Sequence, residues 1–247
     1  MSGFILKIIA YIAMFLGHSA FVNDALIPLY FFGRLAFPIF AFLLVEGYVH
    51  TKNYKKYLTR LIVFAIISQI PAYRFIIGSY NIFENGFPIV YLNIFFTLTF
   101  GLISLKLYDI VKNKFKKGNK TIVTIISLII PFIIAIIAEY LYFDYGFVGI
   151  ALIMIFYLCR GHKILTSLSY SLLMISFMGQ RLINVDTPLT VNYVRYILVQ
   201  LLFLEISLVL ITLYNGKRGK DNRYMRLGFY LFYPIHFFLL LLIQHFI

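Results

Sequence analysis

The chain has 247 residues, of which 62% are hydrophobic and only 13% charged, and its formal net charge is +13. Soluble domains are about half apolar and a quarter charged, so this composition excludes an ordinary soluble protein and predicts an all-α polytopic membrane protein. The positive charge does not indicate nucleic-acid binding, because the basic residues lie in short segments between apolar runs. No linker-like stretch divides the chain, and we expect a single integral membrane domain over residues 1–247.

Apolar runs of membrane-spanning length follow one another from end to end. About twenty apolar residues cross the hydrocarbon core as a helix. The predicted spans are 4–22, 34–50, 56–73, 89–108, 121–139, 145–160, 163–179, 195–214 and 226–246. The sixth and seventh are short or weak, and the second carries Arg34 and Pro38, which predicts a broken turn at its start. The sequence therefore predicts a bundle of about nine transmembrane helices, the first retained because no clear cleavage site follows it.

The distribution of Lys and Arg predicts the orientation. If the N-terminus is cytoplasmic, alternate loops place 18 of the 22 basic residues inside and leave Arg34, Arg74, Arg181 and Arg195 outside. Such a bias is typical of multi-pass proteins and favours an odd number of spans. It predicts loops 112–120 and 216–223 inside and loops 78–86 and 184–192 outside. The predicted location is the cell membrane, with the lipid bilayer as the first partner.

Ionisable residues inside the predicted spans are functional candidates, because a charge in lipid is costly. Lys7 and His18 in the first span are eleven residues apart, close to three helical turns, so both project from nearly the same face. His18, beside Gly17 and Ser19, is a candidate general base that lines a cavity. The alternative is a packing histidine that bonds to a neighbouring helix, and the sequence leaves both interpretations open.

The second span concentrates polar residues in the stretch 33–51. Arg34 is a group that pairs with a carboxylate or stabilises developing negative charge. Glu46 and His50 are four residues apart, hence on one helical face and able to pair. The alternative is that Arg34 reaches the outer interface while Glu46 and His50 reach the inner one.

Two later spans carry further candidates. Tyr233-Pro234-Ile235-His236 lies inside the last span, where proline frees a backbone carbonyl. His236 is then either a ligand contact or a partner for that carbonyl. Glu205 in the eighth span is a buried carboxylate that needs a partner.

The cytoplasmic segment 51–60 is basic and includes Lys52 and Arg60. Such a patch can hold phosphates or anionic lipid heads. For most of its lysines a simple orientation signal is the alternative. The one cysteine, Cys159, excludes a Cys-based metal site, and we expect no metal cofactor.

Several stretches together resemble the TraX family. They are Leu6-Lys7-Ile8-Ile9-Ala10 with Met14 and His18, the run GRLAFPIFAFLLVEGYVHT, and Tyr57-Leu58-Thr59-Arg60-Leu61. Further along, Tyr145-Gly146-Phe147-Val148-Gly149 and Phe232-Tyr233-Pro234-Ile235-His236 fit the same family. The resemblance runs nearly end to end and is most specific over residues 33–61. The spacing of Lys7 and His18 is also similar to the first-helix motif of larger membrane acyltransferase families.

The resemblance implies a membrane acetyltransferase, since TraX-like proteins are associated with N-terminal acetylation of conjugative pilin. It implies acetyl-CoA as acyl donor and pilin, another peptide or an envelope glycan as acceptor. His18 is then the base, Arg34 stabilises the oxyanion or orients a substrate carboxylate, and Lys7, His50, Lys52 and Arg60 hold coenzyme A. Glu205, Tyr233 and His236 are the expected substrate contacts.

The chain departs from the family pattern at Gly17, where many relatives carry aspartate immediately before the histidine. If that aspartate orients the base, another carboxylate takes its place, and Glu46 and Glu205 are the candidates. The missing side chain also leaves room for a neighbouring helix to approach.

Two other classes of function remain open. The same buried charges could form a substrate path in a transporter or flippase, although no paired Gly/Pro-broken segments indicate two repeated halves. The chain could also be a non-catalytic component of a conjugation or secretion assembly.

Overall fold

The computed structural model describes residues 1–78, 91–183, 190–220 and 222–246. Within this part of the chain all regular elements are helices. They are α1 Gly3–Ser19, a 3-10 helix Asp24–Leu29, α2 Tyr30–Gly33, α3 Ala36–His50, α4 Tyr54–Ile77, α5 Ile94–Lys114, α6 Lys120–Tyr140, α7 Gly146–Leu158, α8 Lys163–Ile183, α9 Val191–Thr212 and α10 Arg223–Phe246. A helix occupies each predicted span, and the all-helical membrane fold is confirmed. Most of the predicted outer loops 78–86 and 184–192 lies outside the described residues.

Six helical segments of the described chain are long and apolar enough to cross a membrane. One of them is the composite segment Asp24–His50, which contains the break predicted near Arg34. Of the other helices, α1 and α7 are apolar but shorter, and the 13 residues of α7 rise only about 20 Å. The sixth and seventh predicted spans, α7 and α8, are not among the six segments, and neither is α1.

Packing divides the chain into two compact units. Unit 1 contains Met1–Leu43 and Cys159–Ile247, and unit 2 contains Leu44–Leu158. Helix α3 contributes residues to both. The expectation of one integral membrane domain stays a prediction.

In unit 1, helices α1 and α10 run in the same direction. Phe4 contacts Phe229, Tyr11 contacts Phe232, and the Gln244 amide at the end of α10 donates to the Phe21 carbonyl after α1. At the other end, the Gly3 amide donates to the Lys217 carbonyl and the Phe4 amide to the Arg218 carbonyl, each at a distance of 2.9 Å. The N-terminus and the basic segment before α10 therefore lie at the same end of the unit, as the charge count predicts.

Helices α8 and α9 of unit 1 pack antiparallel through polar contacts. The buried Tyr170 hydroxyl bonds to the Leu204 carbonyl and to the Ser207 hydroxyl, each at 2.8 Å, while Tyr193 donates to the Arg181 carbonyl. These bonds satisfy polar groups that lipid could not solvate.

Unit 2 holds α4 to α7 together with the end of α3. A buried network starts α5: the Asn93 amide donates to the Ala65 carbonyl and to Gln69 Oε1, both at 2.8 Å, and Gln69 donates to the Tyr91 carbonyl. The turn between α6 and α7 uses left-handed backbone at Tyr142 and Tyr145, and Glu139 accepts from the Phe147 amide at 2.7 Å. The glycine-containing motif 145–149 is thus the start of α7.

Candidate functional site

A pair of imidazoles forms the centre of the site in unit 1. Nδ1 of His18 on α1 lies 2.8 Å from Nε2 of His236 on α10, and the two rings stack with centroids 5.1 Å apart. His236 is buried at 1% exposure, whereas His18 is partly exposed. Of the two residues, His18 is therefore the less buried.

Hydrogen bonds assign the nitrogens of this pair. Nδ1 of His236 donates to the Phe232 carbonyl one turn back, at 3.1 Å. In the neutral ring its Nε2 is then an acceptor, so Nδ1 of neutral His18 is the donor between the two rings. This leaves the lone pair of His18 on Nε2, the arrangement of a histidine held by a partner and acting as a base.

Aromatic side chains surround the pair. The Phe237 ring lies 4.7 Å from His18 and 4.1 Å from His236, and Phe232 and Tyr233 also contact His236. Tyr233 is 3% exposed, so it forms part of the buried wall. These rings fix the orientation of His236 and exclude water from its side of the pair.

The partner of His18 Nδ1 is thus a second histidine, not one of the two carboxylates expected from the sequence. Glu205 lies against α8, where its Oε2 accepts from Ser171 at 2.7 Å. Glu46 belongs to unit 2. His236 was expected to contact substrate or the backbone carbonyl freed by Pro234. The structure shows it bonded to the Phe232 carbonyl and to His18, and the substrate contact stays a prediction.

Gly17 and Gly33 allow α1 and α2 to touch through their backbones. A Cβ atom added to Gly17 would overlap the Cα of Gly33, and one added to Gly33 would lie 3.1 Å from the Cα of Gly17. Small residues at a helix contact permit this approach in membranes. The sequence departure at Gly17 therefore makes room for a neighbouring helix, as predicted, and brings the backbones next to His18 and Arg34 together.

Arg34 follows Gly33 and is half-buried. Its Nη2 donates to the Tyr30 hydroxyl, and its guanidinium carbon lies 4.9 Å from the centre of the Tyr30 ring. Tyr30 in turn stacks on Tyr196 of α9. A cation held against aromatic rings is pre-oriented, as an oxyanion-stabilising group has to be.

Lys7 and His18 do share a face of α1, as predicted. Lys7 Nζ lies 5.0 Å from the centre of the Phe229 ring, and Tyr11, between the two, stacks on the same ring. All three residues therefore face α10.

Four other predicted site residues lie in unit 2, namely Glu46, His50, Lys52 and Arg60. His50 is exposed, and its Nδ1 donates to the Glu46 carbonyl at 2.8 Å and lies 3.9 Å from a Glu46 carboxylate oxygen. The predicted pairing is therefore present. Lys52 is exposed, and the Arg60 guanidinium lies 5.8 Å from the Tyr57 ring.

Two polar residues of note were missed in the sequence. Asp109 of α5 accepts hydrogen bonds from the hydroxyls of Tyr48 and Tyr157, each at 2.6 Å, and so joins three helices of unit 2. Gln200 of α9 is fully buried, and neither atom of its amide has a partner among the described residues. Listing the polar residues within each span would have found both.

Metal ligands do not cluster in the described residues: no three His, Cys, Asp or Glu side chains there could hold an ion together. The expectation of no metal cofactor stays a prediction.

Fold and site together define a multi-pass helical membrane protein with a hydrogen-bonded pair of histidines. The family described as TraX protein matches residues 2–244, and the chain belongs to the TraX family. A similar protein is the "Probable fimbrial assembly protein FimC, serogroup H1" of Dichelobacter nodosus. The two are 32% identical over 252 residues, which cover 97% of this chain and 94% of the relative. No solved structure matches the chain.

Proposed function

We propose that this protein is an acetyl-CoA-dependent acetyltransferase of the cell membrane that modifies an amine of pilin, another peptide or an envelope glycan. The observation that carries the proposal is the hydrogen bond between His18 Nδ1 and His236 Nε2. It supports a base whose reactive nitrogen is Nε2 of His18, the less buried residue of the pair.

The transfer needs a single proton acceptor. The acceptor nitrogen attacks the thioester carbonyl carbon, and His18 Nε2 takes a proton from that nitrogen. The tetrahedral intermediate then collapses as the C–S bond breaks, and the coenzyme A sulfur leaves with the proton that His18 returns. A positioned base of this kind contributes typically 10²–10⁴-fold in rate.

Arg34 supplies the positive charge in this scheme. Negative charge develops on the thioester oxygen during attack, and a fixed guanidinium stabilises it. The packing of Gly17 on Gly33 supports this assignment, because it draws together the backbones that carry His18 and Arg34.

The remaining contacts follow from residue chemistry. The proposed contacts of the coenzyme A phosphates are Lys7, Lys52 and Arg60, with His50. Lys7 is separated from His18 by about 16 Å of helix rise. Glu205 and Tyr233 are the proposed contacts of the acceptor.

A pilus-related acceptor is supported by the family and by the relative from Dichelobacter nodosus, whose name describes fimbrial assembly. The same name favours one alternative, that the protein is a non-catalytic component of pilus or conjugation assembly.

Comparison of envelope fractions from cells with and without the gene separates these two functions. The proposal predicts that some envelope peptides or glycans are about 42 Da lighter in cells without the protein, because they lack one acetyl group. Supplying the protein to these cells should restore the heavier form. Purified protein should then transfer labelled acetyl from acetyl-CoA to that acceptor. Normal acetylation in cells that fail to assemble pili would favour the non-catalytic alternative.

A further inference from the structure

The turn between α5 and α6 forms one side of an open groove in unit 2. The groove has a volume of about 370 Å³ and is lined by residues 114–119 together with Ile122, Val123 and Ile126. Phe115 follows the last residue of α5, its carbonyl accepts from the Gly118 amide, and the Asn119 side chain caps α6. The groove is thus built by a defined turn that joins two membrane-spanning helices.

The lining of the groove has a basic part and an apolar part. Lys114, Lys116 and Lys117 provide the positive charge, and no acidic residue is among the described residues that line it. The Lys114 ammonium lies 5.7 Å from the Phe115 ring. Phe115 and Ile122 are 46% and 57% exposed, which is a large apolar surface directly beside the lysines.

The apolar part continues along α6. Ile122, Ile126, Ile129 and Ile133 recur at intervals of three and four residues and are all exposed, so they form one stripe on the helix. This stripe runs from the groove into the part of α6 that has membrane-spanning length and hydropathy. A ligand in the groove could therefore place an anion at the lysines and a hydrocarbon chain along the isoleucines.

We propose that this groove binds an anionic phospholipid. Its phosphodiester lies at Lys114, Lys116 and Lys117, and one acyl chain follows Ile122 and Ile126 along α6. Charge complementarity selects an anionic headgroup over a zwitterionic one. The adjoining apolar stripe selects a lipid over a free phosphate, because only a lipid gains by covering it.

The experiment measures lipid retained by the full-length protein after purification in detergent and exposure to phosphatidylglycerol or phosphatidylcholine. Native mass spectrometry counts the bound lipids. The test variant is Lys114→Gln/Lys116→Gln/Lys117→Gln. Its matched control is Lys163→Gln/Lys217→Gln/Lys220→Gln, which removes the same charge from the same predicted side at positions outside the groove.

Phosphatidylglycerol should bind the wild type in preference to phosphatidylcholine, and the groove variant should lose this preference. One lysine near an anionic surface corresponds to about fivefold in affinity, so the triple change should cost on the order of a hundredfold. The control variant should keep wild-type binding. Equal loss in both variants, or loss in neither, would show that these lysines serve only as an orientation signal.

Two further arms keep the result interpretable. Ile126→Ser should weaken phosphatidylglycerol binding while all lysines remain, which tests the apolar part and provides a second variant if the triple one does not fold. Glycerol 3-phosphate at millimolar concentration should not displace the lipid. Displacement by it would show a site for soluble phosphates and would overturn the assignment to a phospholipid.

Discussion

At the scale of residues, His18 and His236 differ in their hydrogen bonds. His236 is anchored to the Phe232 carbonyl through one nitrogen and faces His18 with the other. In the neutral ring of His18, Nδ1 carries the hydrogen that faces His236, so the lone pair is on Nε2. Under the proposed function His18 is the base and His236 the positioning residue, because His236 is the one anchored to a backbone carbonyl.

Substitution of His236 tests this division of tasks. His236→Leu removes the acceptor for the Nδ1 hydrogen of His18, so kcat should fall by at least about tenfold. The fall should be smaller than the 10²–10⁴-fold loss expected when the base itself is removed. His236→Gln keeps an amide oxygen near the same position and should recover part of the rate. The KM for acetyl-CoA should stay unchanged in both variants. A purely structural role would instead lower thermal stability in both without the recovery by glutamine.

The sequence predicted most residues of this centre but not how they pair. His18, Arg34, Tyr233 and His236 were identified because polar groups in apolar spans stand out. That His18 pairs with His236 could not be predicted, since 218 residues separate them and no local pattern specifies which helices become neighbours. The roles of Tyr30 and Tyr196 were missed for a related reason: tyrosine is common throughout this chain and interfacial tyrosines are expected.

At the scale of elements, the contact between α1 and α2 depends on two glycines. Gly17→Ala should lower the thermal stability, because the new methyl group would overlap the backbone of Gly33, and overpacking costs about 1–3 kcal/mol. The matched control is Gly228→Ala in α10, where an added Cβ meets no atom within 4 Å. Its melting temperature in detergent should equal or slightly exceed that of the wild type. Equal stability of the two variants would contradict the close contact.

The basic segment 51–60, which ends in the first turns of α4, is a second element with a testable task. Lys52→Gln/Lys55→Gln/Arg60→Gln should raise the KM for acetyl-CoA, and the effect should be larger at low salt because exposed charges are screened. Steady-state kinetics at two ionic strengths measure this. An unchanged KM would leave the segment with an orientation role alone.

Helix positions were predicted well because the bilayer fixes span length, and the bounds of most helices agree with the apolar runs to within a few residues. The division into two units was not predicted. Nearly every face of each span is apolar, so periodicity does not identify which face packs against another helix.

At the scale of the whole molecule, the orientation follows from charge, and the structure of unit 1 agrees with it. Because α1 and α10 are parallel and their N-terminal ends meet, residues 1–4 and 217–218 should lie on one side of the membrane. Cysteine labelling in intact cells should find residues 112–120 and 216–223 protected, and residues 78–86 and 184–192 accessible. Labelling of 112–120 from outside would overturn the topology. Cys159 should first be replaced, so that each introduced cysteine is the only thiol.

The most direct test of the central claim is acetyl transfer by purified His18→Ala protein, measured with labelled acetyl-CoA and the acceptor found in the envelope comparison. The matched control is His245→Ala, which removes an exposed histidine near the end of α10. The rate with His18→Ala should fall by about 10²–10⁴-fold while the protein still inserts and binds coenzyme A, and the control should keep the wild-type rate. Transfer by His18→Ala within a few-fold of the wild type would show that His18 is a packing residue and would contradict the account.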